Sequence, residues 1–240
     1  MPNFIHKGNR KKEYVQEMFN DVSKRYDFLN KVLSFGLDSY WRKKFIKMMI
    51  INNDLSILDV ATGTGDIVFE ILKNNDVEII GLDYAENMIK EANHKAISKN
   101  VSNRVQFMHG DAEKLPFPDS SFDLLSISFG FRNIGHYDVA LSEFNRVLKP
   151  GGKLSILEFS EPNSKIFNIM YQFYFKYILP RLGAFISKSD GYKYLPESVK
   201  YFPSRLELQS MMKSSGFNHI KITNLTFGVC SVFIGEKFVK

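Results

Sequence analysis

The chain has very little cysteine, since Cys230 is the only one among its 240 residues. An internal disulfide and a cysteine-based metal cluster are therefore excluded, and a reducing compartment is expected. Long apolar runs are also missing. No stretch approaches the ~18 residues of a membrane-spanning helix, and none near the start resembles the ~7–15-residue core of a secretory signal. No group of histidines and acidic residues has the spacing of metal ligands, so we expect no metal. These absences predict a cytoplasmic protein.

Aromatic side chains and positive charge are what the sequence has in plenty. Aromatic residues make up 14% of the chain, which indicates large apolar surfaces to fill or to offer. The formal charge is +6, with a basic start at Lys7, Arg10, Lys11 and Lys12. This balance favours anionic partners such as a membrane surface or nucleic acid, although a solvated surface rich in lysine is the simpler explanation.

Predicted strands and helices alternate through the first two thirds of the chain. Alternation of this kind implies parallel strands joined by helical crossovers, and hence a doubly wound sheet. A helix over residues 13–33 comes first, and the alternating elements follow it: strands over 55–61, 77–83, 105–109, 122–128 and 153–159, and helices over 66–73, 85–99 and 139–148.

The end of the chain has a different pattern. An aromatic-rich insert over residues 161–203 interrupts the alternation, and a helix over 205–214 follows it. Two late strands, 218–223 and 228–235, then predict an antiparallel hairpin at the edge of the sheet. We therefore expect one α/β domain with a Rossmann-like, mostly parallel sheet, which resembles the architecture of class I methyltransferases that use S-adenosylmethionine (SAM).

Residues 59–66 (DVATGTGD) end the first strand and open the first crossover helix. Gly63 and Gly65 let the backbone turn tightly, and the helix amides that follow can face a ligand. Asp83 ends the next strand at close to the ~20-residue spacing of an acid that binds a ribose. NAD and SAM both contain ribose, but Val68 stands where a dinucleotide fingerprint needs a third glycine. The pattern therefore disfavours NAD.

The third strand is followed by residues 110–117 (GDAEKLPF). Asp111 resembles the polar residue that meets the adenine amino group in SAM enzymes, where neighbouring apolar side chains cover the ring, although an acidic surface turn is the alternative. Because the carboxyl ends of parallel strands meet at one edge of the sheet, these loops should form one site. Together they favour SAM.

Two longer segments carry a more specific resemblance. Residues 26–34 (YDFLNKVLS) through Trp41, and residues 146–160 (RVLKPGGKLSILEFS), are similar to the two signatures of the ubiquinone/menaquinone biosynthesis C-methyltransferase family. Residues 126–133 and 192–198 resemble the family as well. The similarity runs from about residue 13 to the C-terminus.

The resemblance implies an activity and a set of contacts. The activity is transfer of a methyl group from SAM to a ring carbon of a prenylated quinol, either demethylmenaquinol or 2-methoxy-6-polyprenyl-1,4-benzoquinol. One departure is visible, because the family usually has histidine where this chain has Asp38. We expect that change to affect details and not the reaction. The positions implied to contact SAM are Thr64, Asp83, Asp111, Ala112 and Ser128.

The resemblance also implies a substrate-side role for Arg132, Asn133 and Tyr26. Arginine is a poor base, with a pKa above about 12. We therefore interpret Arg132 as an electrostatic clamp on a quinol oxyanion, Asn133 as the residue that places a water, and Tyr26 as a hydrogen-bond donor to a ring oxygen. A purely structural pairing of Arg132 with Asp27 or Asp138 is the alternative.

Two histidines are alternative bases, since only histidine titrates unperturbed near neutral pH. His109 ends a predicted strand beside the cofactor loop, and His136 follows the fourth strand. A surface or structural role is the simpler interpretation of each.

The insert has rings on too many sides for a simple surface helix, particularly over residues 166–185. It could form a lid or tunnel for a polyprenyl tail or dip into a membrane surface, with the basic residues from Lys7 to Lys12 assisting. Core packing, a homodimer contact or a place in a biosynthetic complex would explain it as well. We expect a substrate cap formed by this insert and an N-terminal helical segment over residues 10–50, and peripheral contact with the inner face of the membrane.

Three other functions compete with this interpretation. A nucleic-acid methyltransferase would typically carry an Asn/Asp-Pro-Pro-aromatic motif after strand four, and the chain instead has Ser128-Phe129-Gly130-Phe131. No basic strip interleaved with aromatics is visible either, so we expect no nucleic-acid partner. A methyltransferase of a sterol or phenol, and a non-catalytic SAM-binding regulator, remain open.

Overall fold

A computed structural model describes residues 8–162, 164–174, 177 and 191–239. Its central feature is a seven-stranded sheet with the strand order β3-β2-β1-β4-β5-β7-β6. The strands are β1 (Ile57–Val60), β2 (Ile79–Asp83), β3 (Val105–His109), β4 (Phe122–Ser128), β5 (Leu148–Phe159), β6 (Phe217–Leu225) and β7 (Cys230–Lys237).

The described helices cover both faces of the sheet and extend over one of its edges. They are α1 (Asn9–Val22), α2 (Tyr26–Leu33), α3 (Leu37–Met49), α4 (Asp66–Leu72), α5 (Glu86–Ser98), α6 (Tyr137–Val147), α7 (Lys165–Phe173), α8 (Gly191–Lys200) and α9 (Arg205–Ser214). A short 3₁₀ turn over Ser23–Arg25 joins α1 to α2, so the single helix predicted over 13–33 is broken there.

The sheet confirms the predicted doubly wound topology. The first five strands in chain order pair in parallel, and β1 has β2 on one side and β4 on the other. The chain thus reverses its winding direction between β1 and β4. In open α/β sheets, the crevice outside the carboxyl ends of such strands is where ligands bind.

The predicted antiparallel edge is also confirmed. Strand β7 pairs antiparallel with both β5 and β6, so the hairpin joins the sheet through its second strand. The fifth strand is longer than the predicted 153–159, because β5 begins at Leu148 and includes Pro150, Gly151 and Gly152. The pairing of β4 with β5 shifts register between Phe122 and Leu124 there, and Gly151 has φ 76°. A glycine permits this conformation, so the strand continues through the irregularity.

Two apolar layers hold the fold together, one on each face of the sheet. On one face, α3 contributes Trp41, Phe45 and Met49 at helical spacing, and all three are buried with α4 and α5. On the other face, α6 and α9 bury side chains such as Phe144 and Leu208. Full burial of each such side chain stabilises the fold by roughly 1.5–3 kcal/mol. The helix α3 is therefore part of the core and does not only cover the edge of the sheet.

The region around the insert is described in part. Residues 175, 176 and 178–190 of the predicted aromatic segment lie outside the described residues. Within the described ranges, no helix is both long and apolar enough to cross a bilayer. In the same ranges no group of three or more histidine, cysteine or acidic side chains is arranged to hold a metal ion.

Candidate active site

A cleft lies at the switch point of the sheet, with an empty volume of about 730 Å³. The loops after β1, β2, β3 and β4 form its floor, and helix α1 lies over it. Five of the seven residues predicted to bind the cofactor line this cleft: Gly63, Asp83, Asp111, Ala112 and Ser128.

The glycine loop after β1 is held against the end of β2 by one carboxylate. Asp83 accepts hydrogen bonds from the Gly63 amide at 2.8 Å and from the Ala85 amide at 2.8 Å, each through a different oxygen. Burial raises the pKa of Asp83, and these two amides oppose the rise without cancelling it. The carboxylate therefore fixes the loop and remains at the cleft wall, where a ribose could donate to it.

Gly65 shapes the same loop through its backbone conformation. It has φ 85°, and a Cβ here would lie 2.7 Å from Phe69 Cε2 and 2.8 Å from Phe107 Cζ. Gly65 does not line the cleft itself, because the loop has already turned into helix α4. Its predicted role in the cofactor site is thus one of backbone shape, and ligand contact at Gly65 stays a prediction.

Thr64 lies apart from the cleft. Its hydroxyl donates to Asp27 Oδ1 at 2.5 Å and accepts from Lys95 Nζ at 2.8 Å, and Lys95 also pairs with Asp27. The hydroxyl therefore ties α2 and α5 to the glycine loop. The implied contact between this side chain and SAM stays a prediction, and the geometry favours a structural role.

Asp111 lies at the mouth of the cleft beneath α1. Lys12 forms ion pairs with Asp111 and, at 3.3 Å, with Glu113. Burial lowers the pKa of Lys12, but these two carboxylates outweigh that effect and raise it. Lys11 is also turned inward and donates to the Ile134 carbonyl at 2.8 Å. Both lysines therefore clamp α1 over the cleft.

The remaining wall of the cleft has the chemistry that an adenosyl group needs. Ala112, Met88 and Ile134 offer apolar surface for a base. Ser128 Oγ is buried and has no hydrogen-bond partner within the described residues. An unpaired buried hydroxyl costs about 1–3 kcal/mol, so a polar ligand atom that pairs with it would stabilise the complex. The residues present thus fit SAM.

A second cavity, of about 1220 Å³, adjoins the cleft. Its walls come from α2, α3, the end of β5, α7 and the loop before β7, and most of its lining is apolar or aromatic. Trp41, Phe159, Phe167, Tyr171 and Tyr174 contribute rings to it. Trp41 is fixed by the hydrogen bond from its Nε1 to Thr226 Oγ1 at 2.7 Å.

Tyr26 and Phe129 line both cavities. Phe129 has φ 56°, an uncommon conformation for an aromatic residue, and Ala61 across the switch point has φ 50°. Backbone strain of this kind persists only where the surrounding structure imposes it, and it concentrates at functional sites. The two cavities therefore meet at a constrained point beside the end of β4.

Arg132 lies on the wall of the second cavity and is almost wholly buried. Its Nη1 pairs with Glu158 Oε1 at 2.7 Å, and its amide donates to Glu158 Oε2 at 3.0 Å. The predicted alternative partners were wrong: Asp27 pairs with Lys95 instead, and Glu158 takes the place of both. Glu158 is fully buried, and nothing in the local sequence singled it out.

Asn133 lies on the side of the first cleft. Its Oδ1 accepts a hydrogen bond from the Tyr194 hydroxyl of α8 at 3.1 Å. Burial raises the pKa of Tyr194, so the phenol keeps its proton and remains a donor. The insert thus reaches the site through α8, and its role as a substrate cap stays a prediction.

Neither histidine considered as a base lies on the wall of either cavity. His109 stacks on the ring of Tyr84, and its Nε2 lies 3.1 Å from the Tyr84 carbonyl oxygen. His136 Nδ1 lies 2.8 Å from Glu113 Oε2 on the exposed side of the α1 clamp. Their positions support the structural interpretation of each.

Asp38 is part of the second cavity. Its oxygens accept from Ser34 Oγ at 2.9 Å and pair with Arg42 Nη1 at 2.6 Å. Arg42 reaches on to Asp66 at 3.1 Å, so the pair also joins α3 to α4. The departure from the family's histidine therefore changes one polar patch of the cavity wall.

Sequence reasoning missed the residues that α1 brings over the cleft, chiefly Lys12, Gln16 and Phe19. Gln16 Nε2 donates to the Tyr84 carbonyl at 2.9 Å, across 68 positions of sequence. An amphipathic helix indicates which face is buried but not what it covers. The one available signal is the pair Lys11-Lys12 at the start of the helix, and from the sequence alone we interpret its charge as surface charge.

The sheet order, the glycine loop after β1 and the acid after β2 define a class I SAM-dependent methyltransferase. A solved SAM-dependent methyltransferase from Aquifex aeolicus has the same fold, with a TM-score of 0.66 and 18% identity, over 90% of this chain and 97% of that one. Fold alone does not establish activity.

Comparison of sequences is more specific. The ubiE/COQ5 methyltransferase family model matches residues 7–237. A ubiquinone/menaquinone biosynthesis C-methyltransferase of Geobacter sulfurreducens is 41% identical over 98% of this chain and 93% of its own length. A demethylmenaquinone methyltransferase of Deinococcus radiodurans is 44% identical over 95% of this chain and 94% of its own length. The chain belongs to the ubiE/COQ5 methyltransferase family, and it is an enzyme whose methyl donor is SAM.

The double role of Asp83 generates a prediction about SAM affinity. In Asp83→Asn, an amide N–H2 must face a backbone N–H, so either Gly63 or Ala85 loses its acceptor and the ribose loses a charged one. We expect the dissociation constant for SAM, measured by isothermal titration calorimetry, to rise about tenfold or more.

Glu78→Gln is the matched control, because Glu78 is an exposed acid just before the same strand. It should bind SAM as the unchanged protein does. Wild-type affinity in Asp83→Asn would remove Asp83 from the cofactor site.

Proposed function

We propose that this protein methylates a ring carbon of a prenylated quinol in menaquinone or ubiquinone biosynthesis, with demethylmenaquinol or 2-methoxy-6-polyprenyl-1,4-benzoquinol as acceptor. Relatives that carry both kinds of name match the chain at similar identity. The proposal covers both acceptors for that reason.

The observation that carries the proposal is the junction of the two cavities. One cleft has the polar and apolar groups that suit an adenosyl ligand, and the other is large, with a lining that is mostly apolar or aromatic. They share the walls formed by Tyr26 and Phe129, so ligands in both would approach each other there. An apolar cavity of this size suits a quinol ring with an isoprenoid tail.

The protein's own task in this reaction is to orient the methyl donor and the acceptor and to exclude water from them. SAM supplies an activated methyl group on a sulfonium, so the acceptor carbon needs alignment more than a strong external nucleophile. Gly63, Asp83, Asp111, Ala112 and Ser128 would hold the donor. Phe129, Trp41 and Phe159 lie within 6.0 Å of one another, centroid to centroid, and would keep the acceptor side dry.

Arg132 would stabilise the quinol oxygen as it becomes negative. Burial alone would lower the pKa of Arg132, but the charge of Glu158 outweighs it and raises the pKa above its ordinary value. The guanidinium therefore stays a cation and cannot act as the base. A fixed cation in a dry site stabilises developing negative charge far better than water does.

Tyr26 and Asn133 would complete the acceptor site. Burial raises the pKa of Tyr26, so its hydroxyl keeps its proton and can donate to a ring oxygen at the junction. The side-chain amide of Asn133 lies at the first cleft. There it could position a water that accepts the proton released from the methylated carbon.

The same arrangement supports one domain over residues 1–240 with a cap. Helices α2 and α3 come from the N-terminal helical segment 10–50, and α7 and α8 come from the insert 161–203; all four contribute lining to the second cavity. We assign these two segments to the substrate cap, which would enclose the ring and part of its tail.

Turnover is the direct test of this function. We expect the protein, supplied with SAM and a chemically reduced demethylmenaquinol or methoxy-polyprenyl-benzoquinol, to yield a product heavier by one CH2 unit. Mass spectrometry with fragmentation should locate the added carbon on the ring, because the acceptor atom is a ring carbon next to a hydroxyl.

A sterol and a simple phenol in the same assay serve as competing acceptors. Methylation of either in preference to both quinols would overturn the quinol assignment. SAM binding without any product from this panel would favour the regulator instead.

A lipid substrate also leads us to propose peripheral contact with a membrane surface. Phe35 and Phe227 are 72% and 63% exposed, and their rings contact Tyr174 and Phe167, which line the second cavity. Both hold positive φ values, 52° and 55°, at a cost in backbone strain. Rings presented to solvent at that cost, beside the mouth of an apolar cavity, suit insertion into the interface of a bilayer.

The basic residues that support this contact differ from the predicted ones. Lys11 and Lys12 are occupied in the clamp over the first cleft, so they cannot serve as surface charge, and Lys7 lies outside the described residues. Of the predicted four, Arg10 is exposed at the start of α1. Lys31 on α2, with Lys43, Lys44 and Lys47 on α3, is exposed on the helices that flank Phe35. Each such charge contributes about 1 kcal/mol near an anionic surface.

Cosedimentation with vesicles of phosphatidylcholine and phosphatidylglycerol tests this contact. The double variant Phe35→Asn/Phe227→Asn should bind about tenfold less well, because two exposed rings are lost. Asparagine tolerates the positive φ, so the loops keep their conformation.

Leu206→Asn is the control, since Leu206 is 74% exposed on α9, outside both cavities. It should sediment with the vesicles as the unchanged protein does. Equal binding by the double variant and the control would show that the two rings do not contact lipid.

A further inference from the structure

The Arg132–Glu158 pair is the most deeply buried ion pair that the structure describes. The exposed fractions of the two side chains are 8% and 0%. Glu158 Oε1 accepts from Arg132 Nη1 at 2.7 Å and from the Phe159 amide at 2.9 Å, and Oε2 accepts from the Arg132 amide at 3.0 Å. The carboxylate therefore holds both the backbone and the side chain of Arg132.

Within the described residues, the guanidinium of Arg132 forms its hydrogen bonds through one of its three nitrogens. Both hydrogen bonds that the guanidinium makes within the described residues use Nη1, one to Glu158 and one to the Phe129 carbonyl. Arg132 nevertheless lines the second cavity, and its Nε has no partner within the described part of the chain. A fully paired structural arginine would have its fork of donors satisfied on both sides.

Asp38 and Arg42 also line the second cavity, where they pair with each other. The tyrosines and the cysteine around Arg132 and Glu158 stay neutral. Tyr137, Tyr171, Tyr194 and Cys230 all have raised pKa values because of burial, and each is influenced electrostatically by Glu158 or Arg132. Tyr26 at the junction behaves in the same way. Among these groups, the charge at the cavity wall comes from Arg132 and Glu158, and its balance depends on Glu158.

We propose that Glu158 is a positioning residue, which holds Arg132 so that the remaining guanidinium donors face an oxygen of the acceptor ring. This proposal rests on the proposed function, because it assigns Glu158 a task within that reaction. Burying an unpaired cation is costly, so Glu158 also offsets the cost of holding the charged Arg132 in an apolar cavity.

Opposite shifts of the pH profile distinguish this role from a merely structural one. We expect the acid limb of kcat to report ionisation of the quinol in the complex. Glu158→Gln removes a negative charge and leaves Arg132 uncompensated, which stabilises the quinolate, so the limb should move to lower pH. Arg132→Gln removes the cation, so the limb should move to higher pH.

The losses of kcat in the two single variants and the double variant can be compared in a double-mutant cycle. Each single variant should lower kcat and kcat/KM together by about 100-fold, the usual effect of losing one oriented donor to a developing oxyanion. The double variant should be no slower than Arg132→Gln, because Glu158 acts through Arg132. Glu78→Gln, at an exposed acid outside both cavities, should match the unchanged protein.

Glu158→Asp keeps the inference testable if Glu158→Gln does not fold. It retains the charge but withdraws the carboxylate by one methylene, and kcat should fall about tenfold while SAM affinity is unchanged. Normal kcat in Glu158→Asp, additive losses in the cycle, or unmoved acid limbs would each overturn the positioning role. Absence of any product from the unchanged protein would instead overturn the proposed function, so the two failures are distinct.

Discussion

Every part of the site depends on the reversal of strand order between β1 and β4. Parallel pairing of β1 with both neighbours brings the ends of four strands to one edge, where a glycine loop, two carboxylates and a hydroxyl meet. The reversal also sends the crossovers on either side in opposite directions, so a cleft opens between them. The strained residues Ala61 and Phe129 flank this point, and both are held by the strands that end beside them.

The enzyme's division into two cavities follows from what covers that edge. Helix α1 is clamped over one side by Lys11 and Lys12, while α2 and α3 cover the other and place Tyr26 between them. Because α3 is also buried in the core through Phe45, the part of the second cavity's wall that α3 forms is anchored to the core. Rigid walls favour alignment of two ligands, which is the main requirement of methyl transfer from an activated donor.

The sequence was sufficient for the architecture and for much of the cofactor cleft, because both are encoded locally. Asp83 could be predicted from its place at a strand end, and the hairpin edge from two short strands late in the chain, whereas Ser128 came from the family resemblance. Thr64 could not be placed, since its partner Asp27 is 37 positions away. Glu158 and Lys12 were missed for the same reason: their partners are distant in sequence, and the strand and helix patterns around them indicate only burial. The acceptor side of the site therefore depends on contacts between residues that are distant in sequence, which local sequence patterns do not reveal.

The central claim is that donor and acceptor meet where Tyr26 and Phe129 form a common wall. A crystal structure of the protein with S-adenosylhomocysteine and a reduced, short-tailed demethylmenaquinol tests it most directly. The account predicts the adenosyl group in the cleft beside Asp83 and Ser128, the ring against Tyr26 and Phe129 with an oxygen near Arg132, and the tail in the second cavity. A ring bound elsewhere, with the second cavity empty or filled by protein side chains, would contradict it.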